Sequence, residues 1–129
     1  MNADLFRGLG VDAVIGGEFE CALLEVVRQV RDSNQPLPLM AVTRLDNVPF
    51  IVPFRSMLPA LDKVAHLVMQ DGTIRTVGFA ETTRGCKYHC KHCPVVPVYG
   101  GKFFVIPVDV VMADIDGQVA AGARHISFG

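Results

Sequence analysis

The sequence predicts an α/β chain in three stretches: the end of a Rossmann-like unit over 1–32, a linker with short β-hairpin strands over 33–72, and a partial (β/α) barrel over 73–129. The last stretch would hold the first βα unit of that barrel, its second strand, and a cysteine loop at 84–94. Three observations predict this class. Apolar residues recur at helical spacing in two separate segments, short β-rich runs flank those segments, and an Asp-Gly pair sits between two such runs.

Taken in order, Asp12-Ala13-Val14-Ile15 forms a short apolar strand that leaves through a Gly16-Gly17 turn. A helix follows from about Glu18 to Arg31. Phe19, Ala22, Leu23, Val26, Val27 and Val30 fall at the i, i+3, i+4, i+7 spacing of one buried face. Glu18 and Glu20 lie at its positive end, Arg28 and Arg31 at its negative end. Ser33, Asn34, Pro36 and Pro38 break the helix. Ala41-Val42-Thr43 and Phe50-Ile51-Val52 flank Asp46-Asn47 and predict a first hairpin, with Pro49 and Pro53 confining its second strand to a sheet edge. A short helical piece follows over Met57–Lys63. A second hairpin joins His66–Gln70 to Thr73–Ala80 through Asp71-Gly72, a strong hairpin signal. After the cysteine loop, Pro107 opens a helix to about Ala121, with Val111, Met112, Ile115 and Val119 on one face and Gly122 as the stop. Arg124 to Phe128 is the final strand.

Size and composition bound the function. The 129 residues suggest one modest domain or pieces of two. Half of the residues are apolar, a heavy load for a small domain, which exposes much of its surface. A strand–loop–helix–strand piece cannot bury both faces of a parallel sheet, and a whole (β/α) barrel takes roughly 200 residues or more. The chain therefore reads as a fragment, beginning inside one unit and stopping inside another. A formal charge of −1 gives no argument for a nucleic-acid or acidic membrane partner. No apolar run spans a bilayer, and MNADLFRGLG lacks a secretory pattern. The reading is a cytoplasmic chain, in which clustered cysteines favour metal binding or catalysis over disulfides.

The stretch TTRGCKYHCKHCP, residues 82–94, holds Cys86, Cys90 and Cys93 at the spacing C-x3-C-x2-C. Three thiolates on one tight loop can converge on a metal centre, with Gly85 letting the backbone curl. No acidic residue lies between Glu81 and Asp109, whereas Arg84, Lys87, Lys91 and Lys102 are basic and offset an anionic cluster. The absence of a fourth cysteine in the loop separates the candidates. Structural zinc closes its tetrahedron with four protein ligands, which here would be the three cysteines and His89 or His92 in a small zinc-binding module. A cubane iron–sulfur cluster held by three cysteines keeps one iron open, which signals catalysis.

The Cys86, Cys90, Cys93 motif, following Glu81-Thr82-Thr83-Arg84-Gly85, resembles the cluster loop of radical S-adenosylmethionine (radical SAM) enzymes. The TRGC…C…CP form is similar to the branch with an upstream cobalamin-binding-like domain. Val11–Glu20 resembles the strand-turn-helix ending that domain, and FRSMLPALDKVAHL resembles the linker into the barrel. The resemblance covers most of the chain, with the three cysteines as its specific part. It implies that Cys86, Cys90 and Cys93 hold a 4Fe-4S cluster whose open iron chelates S-adenosylmethionine. Reductive cleavage would then yield a 5'-deoxyadenosyl radical that acts on an unknown substrate. It further implies an electron donor such as a flavodoxin or ferredoxin, and that the isolated chain is inactive.

His92 occupies the place where the family commonly has an aromatic residue close to the adenine, which makes it the candidate cofactor contact. The glycine-rich acidic stretch that receives the methionine amino group would lie at or beyond Gly129, and Gly16-Gly17-Glu18 belongs to another unit. The resemblance allows cobalamin in the full-length protein, but the D-x-H-x-x-G motif is absent and no residue here supports it. Cys21 reads as a small helix residue. His66 and His125 read as strand residues, and Tyr88, Tyr99, Phe103 and Phe104 as packing residues. Gly16-Gly17 reads as a structural turn.

Overall fold

A computed structural model describes residues 3–32 and 40–129. The architecture is mixed α/β, with four α-helices and several small sheets among the described residues and no closed barrel. No helix among them is long and apolar enough to cross a membrane. The predicted helix break at Ser33, Asn34, Pro36 and Pro38 lies outside the described residues. The chain forms two compact units that interleave along the sequence: Met1–Val48 with Gly85–Phe103, and Pro49–Arg84 with Phe104–Gly129.

In the first unit, helix α1 (Ala3–Gly8) is an addition to the predicted elements. Strand β1 (Ala13–Gly17), helix α2 (Glu20–Asp32) and strand β2 (Met40–Arg44) form a βαβ arrangement. β1 and β2 run parallel, with Ala13 opposite Met40 and Gly17 opposite Arg44. This corrects the first predicted hairpin. The 41–43 run pairs with β1, and 50–52 forms no strand. The reason is competition. Pro49 and Pro53 deprive the second run of ladder donors, whereas β1 offers a five-residue register reinforced across the crossover. Arg44 donates to both carboxylate oxygens of Glu25 at 3.1 and 3.0 Å.

The apolar stripe of α2 is only partly covered. Ala22 is buried, but Phe19, Leu23, Val27 and Val30 remain about half-exposed. Two short strands offer too little surface to cover a 13-residue helix.

In the second unit, the second hairpin forms as predicted. Strand β3 (His66–Val68) pairs antiparallel with β4 (Ile74–Ala80), His66 opposite Thr76. The Asp71 carboxylate accepts from the Thr73 backbone N–H at 2.9 Å and its hydroxyl at 2.7 Å. The helical piece expected over Met57–Lys63 shrinks to a 3-10 turn at Leu61–Lys63. Pro59 supplies no N–H and disfavours a helical residue before it, so the turn starts after it. β4 is central, flanked on its other side by β7 (His125–Phe128). β4 and β7 are parallel, Val77 opposite His125, and are joined through helix α4 (Val108–Ala120), which starts after Pro107 and ends before Gly122 as predicted.

The buried face of α4 is turned from the predicted one, keeping Val111 and Ile115 half-buried. Asp114 and Gln118 are buried, while Met112 and Val119 are about half-exposed. The cause lies in β4. Val77 N–H donates to Ala65 on the β3 side, but β3 pairs only as far as Thr76, so the next polar pair on that edge, at Phe79, has no strand beside it. A part-buried N–H and C=O gain from partners. Gln118 supplies them: its Oε1 accepts from Phe79 N–H at 2.9 Å, and its Nε2 donates to Phe79 O at 2.9 Å and to Asp114 Oδ2 at 3.0 Å. Arg55 completes the network, donating to Asp114 at 2.6 and 2.8 Å and to Phe79 O at 3.0 Å. The contact requires Gly78. A Cβ there would lie 2.6 Å from Gln118 Oε1 and 2.8 Å from Ile126 Cδ1.

Candidate functional site

The cysteine loop lies in the first unit. Strand β5 (Thr83–Gly85), paired with β6 (Phe103–Val105), leads into it and the short helix α3 (Val96–Tyr99) leaves it. Between them the backbone holds only bends and turns, including a Cys93 N–H to Cys90 O bond at 3.2 Å. The base of the loop is closed. Cys86 N–H donates to Lys102 O at 3.2 Å, and Lys102 N–H donates to Tyr99 O at 2.9 Å. Gly85 adopts φ +76°, and a Cβ at that position would collide with Lys102 O and sit 2.7 Å from Tyr99 Cδ1. Only glycine combines that left-handed backbone with the missing Cβ. Tyr99 thus ends the loop and packs its ring beneath the point where the loop begins.

The same tyrosine reaches the βαβ segment. Its hydroxyl donates to Glu18 Oε1 at 3.1 Å. Glu18 is 1 % exposed, and its backbone N–H donates to Arg44 O at 2.8 Å. Lys102 Nζ donates to Leu45 O at 3.3 Å. The two ends of the cysteine loop and the end of β1 therefore share one small polar junction.

All four cysteines are free thiols, with Cys86 and Cys93 half-buried and Cys90 exposed. Cys21 is exposed on α2, apart from the loop in sequence. His92 is exposed beside Cys93, and His89, also exposed, lies against Gly101, where a Cβ would meet its Nε2 at 2.5 Å. Among the described residues, no group of three or more His, Cys, Asp or Glu side chains is gathered closely enough to hold a metal ion. The structure thus brings the predicted ligands onto one loop and leaves their side chains apart. The donor chemistry fits a cluster: three soft sulfur ligands, none committed to a disulfide, on a stretch without regular ladder hydrogen bonds to break.

Two residues of the junction escaped the sequence reading. Glu18 carries the signature of a helix-start acid, and Tyr99 that of a packing aromatic. α2 begins only at Glu20, which leaves Glu18 in the connection, where it turns inward. No local pattern pairs residues 81 positions apart.

The second unit holds a separate cavity of about 660 Å³, lined by Val52, Leu58, Val64 and Gly122 together with Asp114 and Gln118. Its buried polar groups bond to one another and to Phe79, so they build the fold. Comparison of the chain with protein-family models, curated proteins and solved structures returned no match.

Proposed function

We propose that this chain carries the cluster loop of a radical S-adenosylmethionine enzyme, together with a βαβ piece of its catalytic barrel and the end of an upstream cobalamin-binding-like α/β domain. The observation that carries the reading is the C-x3-C-x2-C triple on one irregular loop, with every thiol free. The mixed α/β frame agrees with it.

Cys86, Cys90 and Cys93 would hold the cluster as thiolates. A bound 4Fe-4S cluster with one open iron supplies the electron that splits the carbon–sulfur bond of S-adenosylmethionine and yields the 5'-deoxyadenosyl radical. Lys87 and Lys91, between the cysteines, offset the negative charge of thiolates and sulfides. His92, exposed next to Cys93, would stack on the adenine. The electron would come from a donor such as a flavodoxin or ferredoxin. No substrate is assigned, and no residue supports cobalamin.

Anaerobic reconstitution with iron and sulfide tests the reading. The expected product is brown, with sulfur-to-iron charge-transfer absorbance and near-stoichiometric iron and acid-labile sulfide. Alanine at Cys86, Cys90 or Cys93 should remove that absorbance, while alanine at Cys21 should leave it intact. Tightly held zinc without sulfide would sink the proposal in favour of a zinc module built on three cysteines and a histidine.

A further inference from the structure

We infer that Tyr99 and Glu18 form a latch that holds the cysteine loop closed at its base and ties it to the βαβ segment of the same unit. They act as positioning residues for the three thiols. The inference concerns the loop itself; its link to cluster binding rests on the proposed function.

Three contacts tie Tyr99 into the base of the loop. Its ring lies beneath Gly85, one residue before Cys86. Its carbonyl receives the Lys102 N–H at 2.9 Å, and Lys102 O in turn receives the Cys86 N–H at 3.2 Å. Its hydroxyl donates to the buried Glu18 carboxylate at 3.1 Å. Entry and exit of the loop are thus held against one aromatic side chain, whose orientation is set by a partner outside the loop. Glu18 is itself anchored through its backbone to Arg44 at 2.8 Å. Removing the hydroxyl loses the bond to Glu18 and loosens the base of the loop, and the half-buried Cys86 and Cys93 become more accessible. Cys90 is already exposed and should not respond.

The test uses the 129-residue chain and needs no activity. In metal-free protein, iodoacetamide alkylation is followed at each cysteine by peptide mass. Tyr99→Phe should accelerate modification of Cys86 and Cys93 by about two- to tenfold, the equilibrium weight of one hydrogen bond, with Cys90 unchanged. Glu18→Ala should match Tyr99→Phe. Glu18→Gln, whose amide oxygen still accepts from the hydroxyl, should restore nearly the wild-type rate. Should Glu18→Ala fail to fold, the Tyr99→Phe and Glu18→Gln comparison decides alone, because both keep the side-chain volume. In reconstituted protein, the chelator concentration that strips half the iron should fall by a similar factor in Tyr99→Phe. Equal alkylation of wild type and Tyr99→Phe overturns the latch. A wild-type chain that takes up no iron and sulfide overturns the iron–sulfur reading instead, and the alkylation comparison then still judges the latch.

Discussion

Replacing Gln118 with alanine removes the side chain that stands in for a missing strand beside β4. Three hydrogen bonds go at once, two to the Phe79 backbone at 2.9 Å and one to Asp114 at 3.0 Å. Their weights differ. Phe79 O keeps Arg55 as a donor at 3.0 Å, and Asp114 keeps the same guanidinium at 2.6 and 2.8 Å. Phe79 N–H loses its partner in a part-buried setting. An orphaned amide costs about 1–3 kcal/mol and the lost bond to Asp114 about 1 kcal/mol, so the variant should lose about 2–4 kcal/mol, less if water reaches the amide. At roughly 3–6 °C per kcal/mol for a chain of this size, the melting midpoint should drop by about 6–24 °C. Thermal unfolding followed by far-ultraviolet circular dichroism reads this directly. Met112→Ala and Val119→Ala on the half-exposed face provide the contrast, each costing under about 1 kcal/mol. If Gln118→Ala melts within about 2 °C of wild type, or Val119→Ala costs more, the Gln118 edge cap is refuted.

Gly78→Ala tests the same contact from the strand side: its Cβ meets Gln118 Oε1 at 2.6 Å and Ile126 Cδ1 at 2.8 Å, and overpacking of this kind costs about 1–3 kcal/mol in denaturant unfolding. Asp71 predicts a pH dependence. The Thr73 backbone N–H, and then its hydroxyl, hold the exposed carboxylate below its ordinary 3.8, so its contribution to stability is present above that value and disappears as pH falls through the lowered one. Urea unfolding of wild type and Asp71→Ala should therefore differ at neutral pH and converge in strong acid; a gap that persists there would rule out the Asp71–Thr73 turn as its source.

Much of this architecture was legible in one dimension because its signals act over a few residues. The apolar spacing of Phe19 to Val30 located α2, Pro107 and Gly122 bracketed α4, and Asp71-Gly72 marked the hairpin. Each is a matter of local backbone preference. The three cysteines were equally legible, since their spacing is a property of the chain.

Pairing across distance was decided elsewhere. The run Ala41–Thr43 could serve a hairpin with 50–52 or a parallel ladder with β1, and only the folded chain shows β1 supplying the better register. The covered face of α4 followed from the short reach of β3, which left Phe79 needing a donor and an acceptor that apolar periodicity assigns to no one. The Glu18–Tyr99 bond is of the same kind. Local propensity chooses helix, strand or turn, but the satisfaction of buried polar groups is a condition on the whole molecule, and it placed Gln118, Asp114 and Glu18 inside while apolar neighbours stayed partly in water.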